Sequence, residues 1–149
     1  MTAIIKNYAQ KIAPACQDEN GNNLAYAIFR IVVSGMFFMH GAQKIFGLFG
    51  GLGPHGGTVQ LGSLFWFAGL IEVAVGFLIF FGVFTRLAAL FAVIEMGVAY
   101  FMVHFSHGLD PLHNGGELAL LYLVSFLVMF RYGAGKLSFE KTIFKRELF

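Results

Sequence analysis

Residues 64–84 read LFWFAGLIEVAVGFLIFFGVF, and this stretch indicates the class of fold to which the chain belongs. It is 21 residues long and contains one charged side chain, that of Glu72. A helix needs about 20 apolar residues to cross the hydrocarbon core of a bilayer, so the stretch predicts a membrane-spanning helix. A helix of a soluble protein would show a polar stripe every 3.6 residues, and the run Phe77–Phe81 shows none.

Three further apolar stretches predict three more spans, at residues 24–46, 87–105 and 118–130. The last is short, and it reaches spanning length only if Glu117 and Arg131 lie at the two membrane interfaces. The composition agrees, because 58% of the residues are hydrophobic and 12% are charged, whereas soluble domains carry about 25% charged residues. The sequence therefore predicts an all-α polytopic membrane protein, a bundle of four transmembrane helices.

The 149 residues provide for one membrane domain, over residues 24–132. Residues 1–23 are expected to form a cytoplasmic or interfacial segment, and residues 133–149 a basic cytoplasmic tail. Apolar residues of the N-terminal segment fall on one helical face, which predicts a short interfacial helix, with a disordered tail as the alternative. Cys16 is the only cysteine, so it forms no intramolecular disulfide.

The distribution of Lys and Arg predicts the orientation, because cytoplasmic segments of membrane proteins carry the excess. With four spans, both termini and the connection between the second and third spans lie on one side. Only Lys44 lies at the opposite side, at a helix end. The first side collects eight basic residues: Lys6, Lys11, Arg86, Arg131, Lys136, Lys141, Lys145 and Arg146. We therefore expect both termini in the cytoplasm and the protein in the cytoplasmic (inner) membrane of a prokaryote.

Six ionisable side chains lie within the spans or at their ends, and such residues are functional-site candidates because charge in hydrocarbon is costly. They are Arg30, His40, Lys44, Glu72, Glu95 and Glu117. Glu72 and Glu95 each share a helical face with Gly or Ala residues, which predicts that both point into the bundle. When depth in the membrane is counted along the helices, Lys44 lies level with Glu117, and His40 lies level with Glu72. This predicts that Lys44 pairs with Glu117 and that His40 pairs with Glu72. The long side chain of Arg30 is expected to reach Glu95.

The two connections on the side opposite the termini are unusual. Residues 47–62 contain seven glycines, so this connection has little intrinsic rigidity and is expected to fold over the mouth of the bundle as a lid. The other connection brings His107 and His113 close to His104. Their spacing matches no closed metal site, so we predict no metal centre and regard these three as the weak candidates, with ordinary interfacial histidines as the alternative.

The order and spacing of these features resemble the DoxX family of small four-helix membrane proteins, over about residues 24–140. The resemblance rests on Arg30, His40-Gly41 with Lys44, Glu72 with Gly76, Gly82, Thr85-Arg86, Asn114 with Glu117, and Gly133-Ala134-Gly135 with Ser138. Phe139-Glu140 departs from a more usual Leu-Asp at that corner. The glycines at 133 and 135 predict a helix stop and a turn, and Thr85 is expected to be an N-cap.

The resemblance implies a subunit of a membrane redox assembly, since relatives are associated with quinol oxidase, with thiosulfate:quinone oxidoreductase and with oxidative-stress complexes. Our leading hypothesis is that the bundle binds a quinone-like or small sulfur-containing ligand. Lys44 and His40 would hold its oxygen or anionic group. Glu72 and Glu117 would exchange protons or orient these bases, while Arg30 and Glu95 would brace the bundle.

Two alternatives stay open at this point. The same buried carboxyl groups suit a transporter or proton-coupled permeation unit, although no internal repeat or broken helix supports an inverted-repeat carrier. The other alternative is a non-catalytic assembly or anchor subunit whose polar core specifies packing. Whether the chain is itself an enzyme is also open, because electron transfer would need a cofactor elsewhere. The expected partners are the lipid bilayer, proteins of a redox complex and further copies of the chain, and no feature indicates nucleic acid binding.

Overall fold

The computed structural model describes residues 24–135 and 137–145, and within these ranges the regular structure is helical. The predicted N-terminal interfacial helix and Cys16 lie outside the described residues. The helices are α1 (Leu24–Phe46), α2 (Leu64–Phe81), α3 (Thr85–Ala99), α4 (Pro111–Asn114), α5 (Glu117–Tyr132) and α6 (Phe139–Phe144). Helix α3 continues as a π-helical turn, Tyr100–His104, and then as a 3₁₀ turn, Phe105–His107.

Within residues 24–135 and 137–145, three helices are long and apolar enough to cross a membrane: α1, α2, and α3 together with its continuation to His107. The predicted all-helical membrane architecture is confirmed to that extent. Helix α5 forms where the fourth span was predicted, but its 16 residues extend about 24 Å, shorter than the roughly 30 Å of a hydrocarbon core. Its crossing of the membrane and the side on which the termini lie remain predictions.

The helices pack as two pairs, α1 with α2 and α3 with α5. The turn Gly82–Phe84 joins the pairs at one end of the bundle, which we call the proximal end, and we call the opposite end distal. Aromatic rings fill the space between the pairs. The ring centroid of Phe37 lies 4.7 Å from that of Phe126 and 5.2 Å from that of Tyr122. These contacts fix the separation of α1 from α5.

Glycine brings α1 and α2 into backbone contact. A Cβ atom on Gly41 would lie 2.6 Å from the backbone nitrogen of Val73 and 2.7 Å from the carbonyl oxygen of Gly69. A Cβ atom on Gly76 would lie 2.7 Å from the backbone nitrogen of Phe38. Small residues allow this approach in membrane helices. The prediction that the small-residue face around Glu72 packs on another helix is therefore confirmed.

At the proximal end, Arg30 binds the end of α2 rather than Glu95, so the predicted reach to Glu95 is wrong. The guanidinium is buried and donates hydrogen bonds to the carbonyl oxygens of Ile79, Phe80 and Leu137. The last carbonyl groups of a helix lack partners within the helix, and the negative end of the helix dipole attracts a cation. These effects explain why Arg30 turns toward the end of α2.

The segment after α5 folds back onto the turn that joins the two helix pairs. The Ser138 hydroxyl donates to the carbonyl oxygen of Gly82 over 2.8 Å, and Oε2 of Glu140 accepts from the backbone N–H of Phe84 over 3.1 Å. Glu140 is buried. The carboxylate of Glu140 thus lies at the start of α3, where the helix dipole favours negative charge.

Two local expectations about helix ends have different outcomes. Gly133 and Gly135 adopt positive φ, and α5 ends at Tyr132, so the predicted helix stop and turn are confirmed. The expectation that Thr85 caps α3 is wrong, because Phe84 is the cap residue and Thr85 is the first residue of the helix. The helix follows Phe84, which has a left-handed conformation, and so begins one residue earlier than expected.

Candidate ligand-binding cavity

A cavity of about 490 Å³ lies at the distal end of the bundle. The later parts of α1 and α3 and the first parts of α2 and α5 all contribute to it. Most of its wall is apolar, and its size is within the roughly 300–1,000 Å³ of small-molecule sites. The side chains that bring polar groups to the wall are those of His40, Lys44, Glu72, Glu95, His104 and Tyr122.

An ion pair between α1 and α2 lies in the wall of this cavity. The ammonium nitrogen of Lys44 lies 2.5 Å from Oε1 of Glu72, and the Glu72 side chain is only 4% exposed. The predicted pair of Lys44 with Glu117 is therefore wrong. Glu117 is exposed and does not line the cavity. Depth along the helices gave the level of each charge but not which helices are neighbours, and α1 packs chiefly on α2.

The predicted pairing of His40 with Glu72 is also wrong, because Oε1 of Glu72 binds Lys44 and Oε2 has no partner among the described residues. The imidazole of His40 instead contacts Tyr122. Their ring centroids are 5.9 Å apart and the ring planes are perpendicular. His40 lies one helical turn before Lys44 and still lines the cavity. It therefore belongs to the site without binding the carboxylate that was predicted for it.

Four buried polar atoms around the cavity have no hydrogen-bond partner within the described part of the chain. They are both carboxyl oxygens of Glu95, Oε2 of Glu72 and the hydroxyl of Tyr122. Leaving one buried polar group unpaired costs about 1–3 kcal/mol. The buried positions of these oxygens confirm the prediction that Glu72 and Glu95 face the interior.

Tyr122 is a cavity residue that was not predicted from the sequence. It belongs to the buried stripe of α5 with Ala119, Phe126 and Met129, which recurs at helical spacing. A buried tyrosine hydroxyl usually has a hydrogen-bond partner. The sequence signal that could have identified this residue is a tyrosine within the apolar face of a predicted span.

The histidines of the second distal connection do not converge. Nδ1 of His104 lies 3.1 Å from the carbonyl oxygen of Asn114, and Nδ1 of His113 lies 2.6 Å from Oδ2 of Asp110. His107 is next to the carbonyl oxygen of Val103. Among the described residues no three metal-ligating side chains form a group. Of the three histidines, only His104 lines the cavity.

The glycine-rich connection, residues 47–62, does not line the cavity, so the predicted lid is wrong for this structure. The connection folds back as a small hairpin in which Leu52 and Gly57 pair. The side chain of Gln43 donates to the carbonyl oxygen of Gly51 over 2.6 Å, and the N–H of Val59 donates to that of Lys44 over 3.0 Å. These bonds hold the connection against the end of α1, where helix carbonyl groups need partners.

Three apolar helices of spanning length, packed around a cavity with buried charged groups, define a helical integral membrane protein with an internal polar site. The DoxX family profile matches residues 25–105, which is more than half of the chain, and the protein belongs to this family. The match includes His40, Lys44, Glu72 and Glu95, so most polar residues of the cavity lie within the family domain.

Two relatives come from Haemophilus influenzae, and both are described as uncharacterized proteins. One is 39% identical over 127 residues, which cover 80% of this chain and 91% of the relative. The other is 40% identical over 74 residues, which cover 50% of this chain and 49% of the relative. No solved structure gives a significant match.

Proposed function

We propose that this protein is a membrane subunit of a redox assembly and binds a quinone-like ligand in the distal cavity. The observation that carries the proposal is the set of buried polar atoms of Glu72, Glu95 and Tyr122 that have no partner within the described part of the chain and belong to residues lining a largely apolar cavity. Charged and polar groups in a membrane interior mark functional sites by default. An assembly subunit without a ligand would gain nothing from leaving these atoms unpaired.

The residues of the cavity fit the chemistry of a quinone. Its flat ring would lie among aromatic and aliphatic side chains, including those of Phe37 and Phe91. Its two carbonyl oxygens need donors, and the ammonium group of Lys44 and the hydroxyl of Tyr122 are donors on the cavity wall. When bound, a quinone supplies two-electron, two-proton redox chemistry. The chain supplies an apolar space with a few donors and acceptors on its wall.

Each polar residue has a distinct role in this proposal. Lys44 and His40 hold an oxygen atom of the ligand, and Glu72 orients Lys44 through the ion pair. Glu95 exchanges a proton at its carboxyl oxygens, which are buried and have no partner among the described residues. Glu117 has no part in binding, because it is exposed and outside the cavity. Arg30 braces the proximal end through backbone carbonyl groups.

We also propose that the proximal end faces the cytoplasm of a prokaryotic cell. Arg86 lies in the first turn of α3 and Arg131 in the last turn of α5, so both lie at that end. The positive-inside tendency then places the cavity in the outer half of the membrane. A ligand in that half would be exchanged with the outer leaflet.

The direct test of the function is mass spectrometry of detergent-purified protein, with its bound small molecules and co-purifying chains. A quinone that purifies with the wild-type protein, and is lost from Glu95→Leu but kept in Glu117→Gln, supports the proposal. A small sulfur-containing molecule in its place would change the ligand class. Ligand flux into protein-containing liposomes would favour a transporter, and partner chains without any ligand would favour an anchoring subunit.

A further inference from the structure

The wall of the cavity between α2 and α3 is also part of the outer surface of the bundle. Phe67 on α2 is 54% exposed and Ile94 on α3 is 56% exposed, and both line the cavity. Phe91 and Met102 do the same. Since the apolar surface of these helices is the one that faces lipid, the cavity is continuous with the lipid-facing surface of the protein.

The opening follows from how the helices pair. Helices α2 and α3 contact each other less extensively than α1 contacts α2 or α3 contacts α5. The turn Gly82–Phe84 joins α2 and α3 at the proximal end, while the cavity separates them at the distal end. There α3 passes into the π-helical turn Tyr100–His104, and wide turns of this kind are frequent at functional sites. The seam between α2 and α3 is thus closed proximally and open distally.

The polar groups lie behind this apolar seam. Glu72 and Glu95 come from the same two helices as the exposed side chains of Phe67 and Ile94, but their carboxyl oxygens are buried. A molecule that fits both regions has a polar head for the carboxyl groups and Lys44, and an apolar tail that stays in the seam. A small hydrophilic anion would leave the apolar wall unsolvated.

We propose that the ligand enters sideways from the bilayer through the seam between α2 and α3, and that it is a quinone with an apolar tail. This inference rests on the proposed function and adds the route and the need for a tail. The head reaches Lys44 and Glu95, and the tail lies between Phe67 and Ile94. A quinone dissolved in the membrane is already at the opening, so no aqueous path through the distal loops is required.

Two matched substitutions test the route. Ile94 and Leu90 lie one turn apart on α3 and both are exposed, but only Ile94 lines the cavity. The single tryptophan, Trp66, beside Phe67 on α2, reports binding by fluorescence quenching. We would measure the association rate of a decyl-substituted benzoquinone in lipid nanodiscs by stopped flow. Ile94→Phe is expected to slow association about tenfold, within the one to three decades over which variants of one site usually differ, and Leu90→Phe to leave it unchanged.

A second pair of substitutions is expected to change the association rate in the opposite direction. It keeps the route testable if the Ile94→Phe variant does not fold. Phe67 and Phe77 lie on α2 and are each 54% exposed, but only Phe67 lines this cavity. Phe67→Ala should open the seam and speed association of the decyl quinone, whereas Phe77→Ala should not. A benzoquinone without a tail should bind the wild-type protein more weakly than the decyl compound.

The outcomes separate the route from the function. Equal association rates in all four variants, with binding intact, would overturn sideways entry and leave the proposed function standing. Equally tight binding of the quinone without a tail would overturn the need for a tail and likewise leave the function standing. If neither quinone quenches Trp66 of the wild-type protein, the proposed function itself fails. If decanoate displaces the decyl quinone with equal affinity, the seam binds anionic amphiphiles and the quinone assignment is overturned.

Discussion

The ammonium nitrogen of Lys44 on α1 lies 2.5 Å from Oε1 of Glu72 on α2. Gly41 and Gly69 make this possible, because the two backbones touch one turn away from the pair. Lys44 comes from the distal end of α1 and Glu72 from the middle of α2, so the ammonium group reaches into the bundle. The two residues line the cavity, while Oε2 of Glu72 is buried and has no partner among the described residues.

The first prediction concerns the strength of this pair. Lys44→Met or Glu72→Gln alone should each destabilise the protein by about 3–5 kcal/mol, because the remaining group is left without its partner in a poorly solvated place. The double variant should lose less than the sum of the two. Unfolding in detergent, followed as a double-mutant cycle, measures the coupling. Glu117→Gln is the control, with almost no effect expected at an exposed site; additive losses would show that Lys44 and Glu72 do not meet.

The second prediction concerns the contact of α1 with α2. Gly41→Ala places a methyl group against backbone atoms of Val73 and Gly69, which cannot move aside as a side chain can. We expect a loss of about 1–3 kcal/mol, typical of overpacking. Gly35→Ala is the matched control on the same helix, because its Cβ atom would lie 3.6 Å from the ring of Phe80, an ordinary contact. Thermal unfolding in detergent compares them, and equal stability of the two variants would argue against the close approach.

The third prediction concerns Arg30, which binds carbonyl groups of Ile79, Phe80 and Leu137. Arg30→Met should cost about 1–3 kcal/mol, because the carbonyl oxygens of Phe80 and Leu137 lose a donor. The carbonyl oxygen of Ile79 keeps the N–H of Gly82 as a donor. Arg30→Lys should recover only part of the loss, because an ammonium group cannot reproduce the fixed fork of a guanidinium. Stability in detergent is the measurement, and the exposed Arg131→Met serves as control. Full rescue by lysine would be inconsistent with the fork geometry.

The fourth prediction concerns orientation. Apart from Arg30, which lies within the first span, the chain has nine Lys and Arg residues. If the chain has four spans, eight of these nine lie on the side of the termini. A reporter protein that is active only in the cytoplasm should therefore be active when it is fused after Phe149. A second fusion within the Gly-rich connection at residues 47–62 should report the opposite side. A periplasmic signal from the fusion at Phe149 would reverse the orientation and place the cavity in the inner half of the membrane.

The sequence predicted what depends on local composition. The bounds of α1 were predicted as 24–46 and are found there, because apolar residues fill the helix and Gly47 follows it. Helix α2 ends at Phe81 rather than Phe84, since Gly82 adopts the left-handed conformation and stops it early. Both outcomes depend on residues adjacent in the chain.

What the sequence could not predict depends on which helices are neighbours. Lys44 was assigned to Glu117 by depth alone, whereas the glycine contacts bring it to Glu72. Arg30 was assigned to a carboxylate, and it binds backbone carbonyl groups, which every sequence contains and no pattern marks. Tyr122 was missed because one tyrosine in an apolar helix resembles ordinary core. The sequence thus predicted which residues form the candidate site better than it predicted which of them pair with each other.

The proposed function depends most on Glu95, whose buried carboxyl oxygens have no partner among the described residues. Its test is the affinity of the decyl-substituted benzoquinone, obtained from quenching of Trp66, for the wild-type protein and for Glu95→Leu, together with their stabilities. Leucine removes the buried carboxyl group and its unpaired cost. We expect Glu95→Leu to be at least as stable as the wild-type protein but to bind the quinone about tenfold more weakly, a loss of about 1.4 kcal/mol. Unchanged affinity in Glu95→Leu, or no saturable quenching in the wild-type protein, would show that this carboxyl group does not bind a quinone.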